Sequence, residues 1–424
     1  MNKTIFPGWW QVVVSMLNQA AAPGTIIICF SVIAAPLSRE FGASRSTLGL
    51  IMTLTYLING IMNPLLGAAM DRYSIRRIMV GGGILLAAGY AALSFTTSLT
   101  WVFVTFGLLL AMANVVLGPL SYSALLPRWF VRRRARAVGI TVAGYAIGGL
   151  FMPPVFAGLI DAFGWREALR LFAAFVLVVL VPLLARLVID RPSDVGLYPD
   201  GASQPPQVAT VQGAEPSQST ASLLRDPNFW VITIVIGLVL CGAAGVLSNM
   251  VPFAISRGFT ARQGALFLTC FSAGSLTSKL LYTFFGDRLN PRVGLSIGLG
   301  FLVLSSCFFL RGFAFRALLL ASFLHGMGVG TALPLWTYLT ARVFGTANVG
   351  RVFGLMNIVT MPISLSMPPL MGAIFDHTHS YDDGFILYIC LGLGAFFLIP
   401  RLRIVAPDQH ELLPQSNVTS SAVT

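Results

Sequence analysis

One lysine stands where a charge is costly to keep. Lys279 occurs in Ser275-Leu-Thr-Ser-Lys279-Leu-Leu-Tyr282, inside an apolar run and eight residues before Asp287. At about 1.5 Å per helical residue it lies about 12 Å inside that run. In a hydrocarbon layer about 30 Å thick this is near the middle. A cation there costs at least about 2.5 kcal/mol, and the depth puts the interface out of snorkelling reach. A charge retained at that cost reads as an anion site; the bland alternative is a lysine paired for structure alone. His325 is the other intramembrane group, thiols aside, that titrates, and it reads evenly as a proton relay or as a hydrogen-bonded packing residue. Asn18, Gln19, Tyr145, Trp336 and Asn357 are candidates for the wall of a cavity, although each alone is better read as packing or as helix–helix glue.

A second constellation sits in loops. Gly67, Asp71, Arg72, Arg76 and Arg77 end one apolar run and begin the next, and Asp287-Arg288 follow the run that holds Lys279. These read as conformational residues: an aspartate at a loop can sit against the positive end of a neighbouring helix. The bland reading of the arginines is membrane topology alone. There is no phosphate-binding loop with a lysine, no paired carboxylates in a cleft and no nucleophile elbow. An ATP-driven pump or an intramembrane enzyme is therefore unsupported, and no cofactor or metal is expected.

The elements that must position these residues are membrane spans. The 424-residue chain is 56% hydrophobic and 10% charged, against about 25% charged in soluble domains. Twelve runs are long enough to span, at about 9–37, 46–68, 78–97, 100–127, 137–160, 166–189, 229–254, 262–286, 293–311, 315–342, 350–375 and 384–404. They are too long for the tilted strands of a barrel. The fold class expected is an all-α membrane protein of two six-helix bundles, residues 1–189 and 226–404. A polar linker over 190–225, rich in Pro, Ser, Gln and Gly, joins them, and a disordered tail follows over 405–424. The net charge of +12 sits in short loops, so it points to topology and not to nucleic acid. With the N-terminus inside, 18 of the 27 basic residues fall on the cytoplasmic side, 8 outside, and Lys279 within a helix. That places both termini in the cytoplasm and the protein in a cell membrane, inner or plasma. The five cysteines all lie in apolar runs without metal-like spacing.

The halves repeat at an offset near 215. Pro153-Pro154 through Asp161 matches Pro368-Pro369 through Asp376, Pro119 matches Pro334, and Asp71-Arg72 matches Asp287-Arg288. Asn63 is the counterpart of Lys279 and is placed in the same cavity. Duplicated halves point to a transporter with its site between them.

Residues 67–77, Gly-Ala-Ala-Met-Asp-Arg-Tyr-Ser-Ile-Arg-Arg, are similar to the signature loop of the major facilitator superfamily, with Ser74 where glycine is usual. Gly8-Trp9-Trp10, Glu40-Phe41-Gly42, Arg128-Trp129-Phe130 with its following arginines, Gly164-Trp165-Arg166 and Pro192-Ser-Asp-Val-Gly-Leu-Tyr-Pro199 narrow it further. Over residues 8 to about 400 the chain resembles the monocarboxylate transporter and oxalate–formate antiporter branch. The resemblance implies that Lys279 binds the substrate carboxylate and that the loop at 67–77 latches the halves in the outward-open state. Three departures count. Ser275 stands where proton-coupled members have an acid, no basic residue lies between Lys3 and Arg39, and Asn357–Ser366 lacks the second base of the oxalate type. One cation suits one carboxylate, and proton coupling stays open. The expected function is transport of a small monocarboxylate through the lipid bilayer by a monomer. A multidrug-type exporter or a non-transporting membrane sensor is the alternative.

Overall fold

The computed structural model describes residues 6–202, 220–285, 290–311, 314–345 and 349–402. Asp287, Arg288 and the tail at 405–424 lie outside the described residues. Among the described residues, twelve helices are long and apolar enough to cross a membrane. They are α1 (Gly8–Phe41), α2 (Arg45–Arg72), α3 (Ile75–Ser94), α4 (Leu99–Trp129), α5 (Arg136–Phe163), α6 (Trp165–Leu187), α7 (Pro227–Ser256), α8 (Ala261–Tyr282), α9 (Pro291–Arg311), α10 (Phe315–Phe344), α11 (Arg351–Thr378) and α12 (Asp382–Arg401). No strand occurs among the described residues. In hydrocarbon each backbone polar group must be satisfied within its own segment, so runs of this length fold as helices. Two faces follow from the connectivity: a linker face, where α6 leaves and α7 begins, and a far face at the other end.

Small residues set the helix spacing. Lipid is as apolar as leucine, so association rests on close van der Waals packing. In α1 and α5, a Cβ on Gly148 would lie 2.6 Å from the Ala20 carbonyl oxygen, and one on Gly144 would overlap that of Met16. The α8–α10 crossing is tighter still. There, Gly274, Gly326 and Gly330 meet backbone or short polar side chains of the opposing helix.

The first six helices meet the last six along two main seams, α2 against α11 and α5 against α8, and α1 also touches α7. In the first, a Cβ on Gly49 would lie 2.5 Å from Pro368 and Pro369 backbone atoms, and Thr53 donates to the Leu365 carbonyl at 2.6 Å. At the far face the Asp376 carboxylate accepts from the backbone N–H groups of Arg45 and Ser46 at 3.0 and 2.9 Å, and from Ser46 Oγ at 2.6 Å. In the second seam Thr269 donates to the Leu150 carbonyl at 3.1 Å. Toward the linker face the same helices expose Asn63, Pro64, Gly139, Leu281, Phe284 and Asn357. The seams are thus closed at the far face and splayed at the linker face.

Residues 190–202 of the linker lie folded on the first six helices, and 203–219 are outside the described residues. Two aspartates tie the folded part down by taking backbone donors. Asp190 accepts from Arg76 N at 2.8 Å; Asp200 accepts from Val131 N and Arg132 N at 2.9 and 2.8 Å. Asp200 holds a left-handed backbone, φ 58°, to reach them, a conformation aspartate tolerates better than most residues.

Candidate functional site

The floor of the linker-side cleft is where α5 and α8 part. Lys279 Nζ lies 5.7 Å from the centre of the Tyr145 ring, bringing together residues of opposite halves. Side chains of a helix lean toward its N-terminus, and α8 begins at the far face. The lysine stem therefore carries its amine from a backbone position past the middle of α8 back toward the middle of the span. An aromatic face within about 6 Å stabilises a cation, more so when water is scarce. On the other seam Asn63 of α2 and Asn357 of α11 are both exposed. They lie nine and six residues from the linker-face ends of their helices, Arg72 and Arg351. Tyr145 lies nine residues from Arg136, so Asn63, Asn357 and Tyr145 stand at similar depths in their helices. Asn357 Nδ2 donates to its own helix at Phe353 O, 2.8 Å away, which leaves its amide oxygen for other donors. Asn59, one turn deeper than Asn63, has a shielded amide oxygen with no partner. Sequence reasoning missed Asn59, which looks like the other polar residues of these helices in every respect but one. The signal was its i, i+4 spacing from Asn63.

Other sequence candidates lie elsewhere. Asn18 is buried in α1 and donates at 3.2 Å to the Leu117 carbonyl. Helix α4 is broken there, at Gly118 with ψ −149°, so Asn18 satisfies an acceptor that the break releases. Gln19 is buried beside it in sequence, and its amide oxygen finds no partner. Trp336 is packed in the core of the last six helices. Its ring centre is 4.3 Å from that of Phe353, and Nε1 lies 3.1 Å from Met356 Sδ. His325 is 1% exposed, with Nδ1 2.9 Å from Ser305 Oγ and ring neighbours Phe271 and Phe309. It faces a crevice lined by Gly242, Leu302, Ser306 and Tyr388, within the last six helices and not between the halves. His325→Gln is accordingly expected to leave uptake and its dependence on external pH within about two-fold of the unaltered protein. Uptake measured in proteoliposomes at pH 6 and pH 8 checks this.

The loop constellation gathers at the linker face. Gly67 packs 3.5 Å from Leu120 Cδ1, as measured from a built Cβ, and Arg128 donates to the Met70 carbonyl at 3.0 Å. Asp71, Arg72, Arg76 and Arg77 are exposed. The described ion pairs, Arg166–Glu40, Arg170–Glu167 and Arg257–Asp382, all lie on the far face, so Asp71 pairs with none of the described residues. Among the described residues no cluster of His, Cys, Asp and Glu is able to hold a metal ion.

Comparison with known proteins agrees with this architecture. Monocarboxylate transporter 13 of Bos taurus is 25% identical over 423 residues, 98% of this chain and 95% of that one. Monocarboxylate transporter 12 of Xenopus laevis is 23% identical over 426 residues, 93% of this chain and 90% of that one. Among solved structures, a bacterial homologue of the human lysosomal transporter Spinster, inward-facing and unoccupied, superposes with a TM-score of 0.71. It shares 14% identity over 96% of this chain and all of that chain. The sequence profile of the Major Facilitator Superfamily matches residues 17–268 and 246–422. With twelve spans, two seams and this match across nearly its whole length, the chain is a membrane transporter and belongs to the major facilitator superfamily.

Proposed function

We propose that the protein carries a small monocarboxylate across the membrane by alternating access, and that Lys279 holds the carboxylate. The observation that carries this reading is the position of Lys279: a cation set against Tyr145 of the opposite half, where the seams open into the cleft. A carboxylate there gains a charge-assisted hydrogen bond in a partly dehydrated space, where such bonds are stronger than in water. The amides of Asn63, Asn59 and Asn357 offer donors and acceptors for the rest of a small polar anion. The curated relatives carry the name monocarboxylate transporter, in keeping with this chemistry. A multidrug exporter would need a wide apolar cavity indifferent to Lys279. The basic residues, 18 to 8 in favour of the linker face, support a cytoplasmic placement of that face and hence an inward-open state.

A screen of small mono- and dicarboxylic acids against the purified protein tests the site. One monocarboxylate at least should raise the melting temperature in the unaltered protein and not in Lys279→Gln. Stabilisation of both alike, or by apolar drugs alone, would overturn the assignment.

Asp71 acts on the cycle and not on the ligand, since it is exposed at the linker-face end of α2, about 12 Å along the helix from Asn63 and the cleft floor. Asp71→Asn is expected to slow transport several-fold and keep equilibrium binding within about three-fold. A loss of binding as large as that of Lys279→Gln, read by the same thermal titration, would contradict this.

A further inference from the structure

The far-face seam contains a contact that the substrate site does not use. Asp376 lies in the last turn of α11, the negative end of its own helix dipole, where an acid is disfavoured. Its carboxylate is nevertheless fully engaged, because it reaches across to the first turn of α2. There it takes the N–H groups of Arg45 and Ser46, at 3.0 and 2.9 Å, and the Ser46 hydroxyl at 2.6 Å. Those N–H groups are donors that a helix start leaves without an intrahelical partner. Ser44, the residue preceding α2, accepts from one backbone N–H of that turn, Thr47, at 3.2 Å, and its hydroxyl also lies 2.8 Å from those of Ser46 and Thr47. The Arg45 guanidinium lies over the Phe375 ring at 5.2 Å, covering the contact. Gly372, one turn before Asp376, brings the α11 backbone against Arg45 and Ser46 so closely that a Cβ would overlap them.

The internal repeat supplies a control. Asp161 ends α5 as Asp376 ends α11, at an offset of 215 residues. The pseudo-symmetric partner of the α2 start is the start of α8. That start is capped locally: Gln263 N donates to Thr260 Oγ1 at 3.2 Å, and Thr260 N donates to Gln263 Oε1 at 2.9 Å. Asp161 is exposed and makes no hydrogen bond or ion pair with any described residue. It borders a cleft shared with Arg39, Trp165 and Ala261. The same residue in two equivalent places is therefore engaged in one and idle in the other.

We propose that Asp376 is the gate residue of the far face: its carboxylate caps α2 from the opposite half, and this cap must break for the cavity to open on that side. Opening the far face separates α2 from α11, which leaves two backbone donors and a carboxylate to be met by water. The cap thus biases the resting protein toward the state open at the linker face. Asp161 carries no such bias. The proposal rests on the alternating-access reading but not on which anion is carried.

The test measures the conformational equilibrium without substrate, so its outcome is separate from that of the Lys279 assignment. Spin labels go at Thr97→Cys and Ala314→Cys, exposed far-face loop positions in opposite halves, with the native cysteines replaced. Their distance distribution is read by double electron–electron resonance in the full chain in nanodiscs. Asp376→Ala should raise the ratio of long to short distances about ten-fold. Ser46→Ala and Asp376→Asn, which each remove part of the cap, should raise it about three-fold. Asp161→Ala should leave it within two-fold. Should Asp376→Ala fail to fold, the Ser46→Ala and Asp376→Asn ratios decide. An unchanged ratio in the cap variants, or an equal shift in Asp161→Ala, overturns the proposal.

Discussion

Lys279→Gln is expected to reduce uptake of the carried anion by about a hundred-fold or more while the protein still folds. A hydrogen bond to a charged group contributes about 1.5–3 kcal/mol, and each 1.4 kcal/mol is a factor of ten in affinity. The charge lies in a cleft partly screened from water, against Tyr145 at 5.7 Å, so the upper end of that range applies. Folding should survive because glutamine keeps most of the stem's packing and removes a cation whose burial is itself costly. Lys279→Arg should retain part of the activity, since the charge persists but a planar fork replaces a compact ammonium. Melting curves and initial rates in proteoliposomes, taken together, separate loss of function from loss of fold. Normal uptake by Lys279→Gln would remove the lysine from the site.

Gly326→Leu is expected to prevent folding, with monodisperse protein on size exclusion falling more than ten-fold. Any Cβ at this position would overlap the Phe271 carbonyl oxygen of α8, and backbone cannot move aside as a side chain can. The helices would have to separate, and Gly274 and Gly330 hold the same crossing on either side. Overpacking costs about 1–3 kcal/mol and sometimes more. Here it falls at the helix pair that positions Lys279. Gly158→Ala is the comparison: a Cβ there meets nothing within 4 Å, and alanine favours helix by about 1 kcal/mol over glycine. It should express as well as the unaltered chain or better. Equal yields of Gly326→Leu and Gly158→Ala would mean that the α8–α10 crossing is looser than described.

Much of the fold was legible because lipid makes one demand, a run of about 20 apolar residues. The run expected at 46–68 became Arg45–Arg72 and that at 384–404 became Asp382–Arg401. Less was legible where the same apolar run contains a local change of path. The break at Gly118 in α4 is read from ψ −149° and not from composition. It explains Asn18, whose amide serves that break. Within the site, the cost of a buried charge singled out Lys279. Polar residues without charge carry no such cost, so Trp336, in the core, and Asn63, in the cleft, look alike in sequence. Which face of a helix meets the cleft depends on how the two halves lean together. Asp376 was visible as half of a repeated motif, but its difference from Asp161 arises at the seams and not in either motif.

Passage of a small monocarboxylate through a cleft whose floor carries Lys279 is the function proposed here. The most direct measurement is uptake of the radiolabelled monocarboxylate that stabilises the purified protein, into proteoliposomes with the voltage clamped, with and without an inward proton gradient. The expected result is saturable uptake that excess unlabelled monocarboxylate abolishes, that dicarboxylates and apolar drugs leave intact, and that Lys279→Gln lacks. Uptake blocked instead by apolar drugs and unaffected in Lys279→Gln, or ligand binding with no flux in any gradient, would contradict it.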